Sequence, residues 1–264
     1  MPRRRGLARA RLLFRLTEGP VDHEAGEDRL KALVKILLFD VDGTLIRAGG
    51  AGRKALNRAA QRLYGKKRAC SELFLAGRTD LYNFGEAYRV ATGKKTTRAA
   101  IETLHREYLK HLPHYVRAAI RDGSYRIPPG LKTLLKHLSR DQRVLLGLGT
   151  GNMEKGARIK LEPSGFNVYF LFGGYGSDSF HRPSLLKRAA LRAKELAREP
   201  FGPDDVYVIG DTPLDVAAGK EAGFKTIAVG TGFARWKDLA ASRPDHLTRD
   251  FRDLKKWLSW FGLE

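Results

Sequence analysis

The sequence predicts an α/β protein built in three layers, a mostly parallel sheet covered by helices, with an all-helical segment inserted behind the first strand. Three observations carry this. Short apolar runs at 35–39, 143–149 and 206–209 each stop at small or acidic polar residues, as buried strands do where they reach a sheet edge. Segments with helical apolar spacing separate the later strands, and such alternation belongs to parallel sheets. From Arg53 to about Tyr115 the spacing is helical throughout, with no strand pattern to interrupt it.

The composition allows this architecture and excludes several others. A chain of 264 residues with 42% hydrophobic and 9% aromatic content can bury one large core or two modest ones. Cys70 is the single cysteine, which rules out an intrachain disulfide and a cysteine-built metal cluster. No apolar run approaches the roughly 20 residues that a bilayer-spanning helix needs, so a cytoplasmic protein without membrane contact is expected. The net charge is +20, and it is uneven: residues 47–130 hold 18 Lys and Arg against 6 Asp and Glu. A basic surface attracts small anions and, without sequence preference, nucleic acid. A small anionic partner is expected ahead of nucleic acid, a phosphorylated metabolite if the strand ends form a phosphate site, with the chain a monomer or homodimer.

Residues 1–33 open with Arg3, Arg4 and Arg5 and continue with Arg9, Arg11 and Arg15 around Leu12, Leu13 and Phe14. Glu18, Asp22, Glu24, Glu27 and Asp28 follow too soon for an organelle transit peptide. The expectation is a flexible or loosely helical arm.

The first strand, Lys35-Ile-Leu-Leu-Phe39, runs into Asp40-Val-Asp42-Gly43-Thr44. Ligands of parallel sheets bind at the carboxyl ends of strands, so both carboxylates stand at the rim of a crevice. Carboxylates this close repel, and a divalent cation between them relieves the conflict; magnesium, which takes oxygen ligands, suits such a pair. After the flexible Gly49-Gly50-Ala51-Gly52, one helix carries Ala55, Leu56, Ala59, Ala60 and Leu63 and stops at Gly65, and another carries Ile101, Leu104, Tyr108 and Leu112. Tyr125-Arg-Ile-Pro-Pro-Gly130 reads as a return linker, followed by a helix to about Ser139.

A second buried strand, Arg143–Asn152, ends in Thr150-Gly151-Asn152. The Thr150 hydroxyl and the backbone N–H groups beside it, Gly151 included, suit a phosphoryl oxygen. Residues 168–173 suggest a third strand, and a helix is expected from about Ser184 to Arg198. Residues 206–209 form another strand, Gly210 permits a tight exit, and Asp211 arrives at the strand end as Asp40 does. Pro213 opens a helix that Gly223 closes, with Asp215 in its first turn. A strand at 225–230, a helix after Gly232, a short strand near Pro244–Leu247 and an amphipathic terminal helix complete the chain; His246 is read as structural.

The stretch Phe39-Asp-Val-Asp-Gly-Thr-Leu45 resembles the first motif of the haloacid dehalogenase-like (HAD) phosphohydrolase superfamily. Thr150 at the end of its strand resembles the second motif, and Gly210-Asp211 with Asp215 four positions on resembles the fourth. The third motif is usually a lysine before proline, where this chain has Arg182-Pro183. An arginine keeps the charge and can bind phosphate in bidentate fashion; Lys187 is the alternative. Leu75-Ala-Gly-Arg78-Thr-Asp80 resembles the cap loop that reaches toward substrate in relatives, which offers Arg78 as a substrate contact.

The resemblance implies a Rossmann-like core over 34–46 and 129–264 with a helical cap over 47–128. It further implies that Asp40 accepts the phosphoryl group and that Asp42 serves as acid and then base. Magnesium would be held by Asp40, Asp42 through its backbone carbonyl, and Asp211, with support from Asp215, while Thr150, Gly151 and Arg182 bind the phosphoryl oxygens. Asp42 argues against the metal-free dehalogenases of the superfamily. The Thr-Gly-Asn triplet and the cap look most like the phosphoglycolate phosphatase branch. The expected function is a magnesium-dependent phosphatase acting on a small monoester. The alternatives are a phosphotransferase of the β-phosphoglucomutase type and a non-enzymatic role in nucleic-acid or partner binding.

Overall fold

A computed structural model describes residues 34–264, so the basic segment 1–33 lies outside the described residues. Six parallel strands form one sheet: β1 (Lys35–Phe39), β4 (Val144–Thr150), β5 (Phe172–Tyr175), β6 (Val206–Gly210), β7 (Lys225–Val229) and β8 (His246–Thr248). Their order across the sheet is β5-β4-β1-β6-β7-β8, with β1 hydrogen-bonded to β4 on one side and β6 on the other. Alternation along β1 shows why it is central. Leu37 and Phe39 point into the larger apolar core, Ile36 and Leu38 into the opposite one, and all four are fully buried. A strand buried on both faces is written as a continuous apolar run.

Helices cover the two faces. On one side lie α4 (Leu131–Leu138), α5 (Glu154–Leu161) and α9 (Leu254–Phe261), and on the other α6 (Arg182–Lys194) and α7 (Pro213–Ala222). The remaining short helix, α8 (Trp236–Ala241), buries Leu239 against Val216 and Ala228. Trp257 of α9 is fully buried and stacks on Phe251 at 5.0 Å between ring centroids.

Between β1 and α4 the chain forms α1 (Ala51–Tyr64), α2 (Asp80–Thr92) and α3 (Arg98–Arg121), which pack on one another and share the larger core through Ala55, Leu56, Phe84, Leu104 and Tyr108. Thr79 and Thr97 cap α2 and α3 by accepting the N–H groups of Tyr82 and Ala100.

The structure departs from the sequence reading in local detail. Residues 125–126, read as linker, form a short strand β3 that pairs antiparallel with β2 (Arg47–Ala48), so the entry and exit of the helical segment are tied together. Residues 166–169 make a 3-10 turn and the strand begins only at Phe172, because Val168 and Leu171 face outward and leave no apolar pair for the sheet. Helix α5 has no counterpart in the sequence reading. Its N-cap, Met153, makes no side-chain cap, and Gly156 interrupts its apolar spacing.

Candidate active site

The strand order reverses around β1, which makes the ends of β1, β4 and β6 the crevice of the sheet. Asp40 follows β1 directly, and its N–H donates to the Ile209 carbonyl at 2.9 Å, which fixes it beside the end of β6. Asp211 follows β6. Thr150 closes β4. Pairing of Phe39 with both Leu148 and Ile209 therefore sets Asp40 between the hydroxyl and the second acid.

Asp40, Asp211 and Asp215 are all buried, and a carboxylate oxygen of each lies within 4.8 Å of the others. The Thr44 hydroxyl donates to Asp211 Oδ1 at 3.3 Å and the Phe233 N–H to its Oδ2 at 2.8 Å. Asp215 belongs to the capping box of α7: its amide donates to Thr212 Oγ1 at 3.3 Å while its Oδ2 accepts from the Thr212 N–H at 3.0 Å. Gly43 has φ +92°, and a methyl group there would overlap the Asp211 carboxylate, so this turn admits only glycine without strain.

Crowding shows in the acidities. Burial, then repulsion by Asp215, raises Asp40 from 3.8 to about 7, although Arg182 and the Thr150 hydrogen bond oppose the shift. Burial, then Asp215 and Asp40, pushes Asp211 well above its ordinary value. Asp40 and Asp211 resist ionising, and with Asp215 they form a buried hard-oxygen donor set whose chemistry fits a divalent cation such as magnesium.

Arg182 is buried against this group, 3.6 Å from Asp40 Oδ1 and hydrogen-bonded to Asp215 Oδ1, and its Nη1 donates to the Gly77 carbonyl at 3.1 Å. Its Nε finds no hydrogen-bond partner among the described residues. Lys187 lies on the exposed side of α6. Of the two cations offered by the sequence, only Arg182 meets the aspartates.

Asp42 is not part of this buried trio. Its Oδ2 accepts from Lys160 Nζ at 2.6 Å and from Asn152 Nδ2 at 3.0 Å, and Asn152 Nδ2 also donates to Thr150 Oγ1 at 2.9 Å. Lys160 is not among the residues the sequence singles out, and Asn152 enters there only as the last residue of the Thr-Gly-Asn triplet. Gly151 packs against the Arg78 backbone carbonyl, and its own carbonyl accepts the Asp80 N–H at 2.7 Å. The Arg78 side chain is exposed and stacks over the Tyr82 ring at 4.4 Å. It borders a cleft of about 250 Å³ that reaches Arg182 but is lined by none of the four aspartates 40, 42, 211 and 215.

A family model for haloacid dehalogenase-like hydrolases matches residues 34–223. The chain belongs to this family. The sequence resemblance is thus borne out, and with it the parallel α/β core. The chain is 26% identical over 245 residues to a phosphoglycolate phosphatase of Rhodospirillum rubrum, covering 86% of this chain and 91% of that protein. It is 32% identical over 126 residues to a phosphoglycolate phosphatase of Synechococcus elongatus, a match that spans 48% of this chain and just over half, 56%, of that relative. Among solved structures, CbbY from Rhodobacter sphaeroides in complex with phosphate matches with a TM-score of 0.64 and 21% identity, over 84% of this chain and 96% of that one. At that identity the likeness is one of fold. The chain is an enzyme of the hydrolase family, and relatives named as phosphatases support the phosphatase class. Among the described residues no helix is long and apolar enough to cross a membrane.

Proposed function

We propose that this enzyme is a magnesium-dependent phosphatase that hydrolyses a small phosphate monoester of the phosphoglycolate type through a phosphoryl group carried on Asp40. The observation that supports it best is the buried trio Asp40, Asp211 and Asp215 with Arg182 against it. Asp40, Asp211 and the backbone carbonyl of Asp42 would hold the metal, with Asp215 in support. When bound, the dication neutralises charge on the carboxylates and the phosphate and so favours transfer.

In this reading an Asp40 carboxylate oxygen attacks phosphorus, the bond to the leaving alkoxide breaks, and Asp42 supplies the proton that alkoxide needs. Asp42 then takes a proton from water as that water displaces phosphate from Asp40. The Thr150 hydroxyl, the N–H groups beside Gly151 and the Arg182 guanidinium hold the phosphoryl oxygens, where charge builds in transfer. The helical segment 47–128 serves as a cap that shields the reacting atoms from bulk water, and Arg78, on its loop to α2, would contact a substrate's leaving group. The basic surface of that segment steers an anionic ester inward.

The test is phosphate release from p-nitrophenyl phosphate and from a panel of metabolite monoesters that includes 2-phosphoglycolate, with magnesium and with EDTA, for the wild type beside Asp40→Asn. Magnesium-dependent release abolished by the substitution is expected, with the best ester naming the substrate class. Transfer of the phosphoryl group to a sugar in place of water, or no release from any ester by a folded protein, would overturn the proposal.

A further inference from the structure

Helix α5 brings a buried lysine to Asp42 that the family resemblance does not account for. Lys160 Nζ donates to Asp42 Oδ2 at 2.6 Å and to Asn152 Oδ1 at 2.6 Å, and Asn152 returns its own Nδ2 to the same Asp42 oxygen at 3.0 Å. The three side chains close a ring of hydrogen bonds. All of it rests on Asp42 Oδ2; among the described residues no side-chain hydrogen bond reaches Oδ1.

The ring is rigidly mounted. Asn152 and Lys160 sit at the start and near the end of one short element, the turn into α5 and α5 itself. Asn152 is tied to the end of β4 through Thr150, at 2.9 Å from Nδ2 and 3.2 Å from its own N–H, and its carbonyl accepts the Gly176 N–H at 2.8 Å. The Lys160 carbonyl accepts from the Tyr125 hydroxyl at 2.9 Å. The lysine side chain is only 6% exposed, whereas that of Asp42 is 30% exposed. The carboxylate is therefore held from its buried side and open on the other.

The lysine stays charged there. Burial works against its ammonium, but Asp42, followed by Tyr108 and Asp80, more than offsets that and holds the amine above its ordinary value. A buried ion pair of this kind is seldom the most stabilising choice for a core. Its worth lies in geometry: a carboxylate on a loop turns freely about two bonds, and a misplacement of an ångström costs an acid–base group about 10²-fold in rate.

We propose that Lys160 is a positioning residue for the phosphatase reaction: together with Asn152 it fixes one oxygen of the Asp42 carboxylate and presents the other to the reacting atoms. The inference rests on the reading of Asp42 as the acid–base group.

The experiment compares wild type, Lys160→Met, Lys160→Arg, Asp42→Asn and the double variant Asp42→Asn/Lys160→Met, with kcat and KM measured separately on 2-phosphoglycolate and on p-nitrophenyl phosphate. Lys160→Met is expected to lose about 10²-fold in kcat with KM within about threefold of wild type. Lys160→Arg should recover part of the loss, and the double variant should be no slower than Asp42→Asn alone, because a positioning residue has nothing to add once its target is gone. Should Lys160→Met fail to fold, Lys160→Gln, which keeps a donor on a polar chain, carries the same comparison. A kcat within about threefold of wild type in a folded variant, losses that multiply in the double variant, or a loss confined to KM would overturn the proposal. A wild type that turns over no ester sinks the phosphatase reading itself, and that failure is read from the wild type alone.

Discussion

Asp40→Asn should make the metal-free protein more stable at pH 8 and leave it nearly unchanged at pH 4. Burial and the repulsion of Asp215 raise the Asp40 carboxyl from 3.8 to about 7 in the fold. Between those values the folded chain binds a proton that the unfolded chain has released. Stability therefore falls as pH rises through that window, by about 1.4 kcal/mol per pH unit for one proton. The contribution is intact below 3.8 and lost by the time pH passes about 7, which over the window amounts to about 4 kcal/mol. Asparagine never ionises, so the advantage of the variant over wild type should grow from about zero at pH 4 to about that amount at pH 8. Urea unfolding in EDTA at pH 4, 6 and 8 measures it; the difference between the two proteins cancels the groups that do not feel Asp40, while Asp211, which Asp40 pushes up, ionises more readily in the variant and adds to its advantage at pH 8. Saturating magnesium should shrink the advantage, since the variant lacks a carboxylate ligand. An advantage independent of pH, or a wild type more stable than the variant at pH 8, would refute the reasoning.

Gly43→Ala places a side chain at φ +92° and against the Asp211 carboxylate; a loss of about 1–3 kcal/mol in urea unfolding is expected, together with a weaker magnesium affinity by calorimetry. Trp257→Ala empties a fully buried site stacked on Phe251. It should cost about 3–5 kcal/mol, seen as a lower urea midpoint with an unchanged m-value. Orthophosphate should bind measurably by calorimetry with magnesium and far more weakly in EDTA, because without the dication the phosphate faces the buried carboxylates 40, 211 and 215, with which, among the described residues, only Arg182 forms ion pairs.

The parts of the fold that were legible in the sequence are those where local preference and global burial agree. Lys35–Phe39 and Val206–Gly210 are apolar runs because both faces of their strands are covered, and the acid after each is legible because a carboxylate at the end of such a run breaks the apolar pattern where the strand stops. Pro213 and Gly223 bracket α7 by fixed backbone rules, and Asp215 could be placed within its first turn. The β2–β3 ribbon was hidden for the opposite reason. Two residues carry no period, and their pairing depends on where three intervening helices return the chain.

Helix α5 and its lysine show the limit most clearly. The segment Glu154–Leu161 has Gly156 inside it, no side-chain cap and two lysines, so its own preferences are weak. It is helical because Ala157 and Leu161 pack into the larger core beside α3. A lysine in such a stretch reads as a solvated charge, which is where most lysines lie. What buries it is the carboxylate of Asp42, 118 residues earlier, whose charge is its nearest compensation. No pattern in the chain marks that pair. The strand ends gather the aspartates by backbone geometry alone, and that much can be read; the cation that holds one of them in place is selected by the electrostatics of the assembled site, which exists only once β1 and β4 lie side by side.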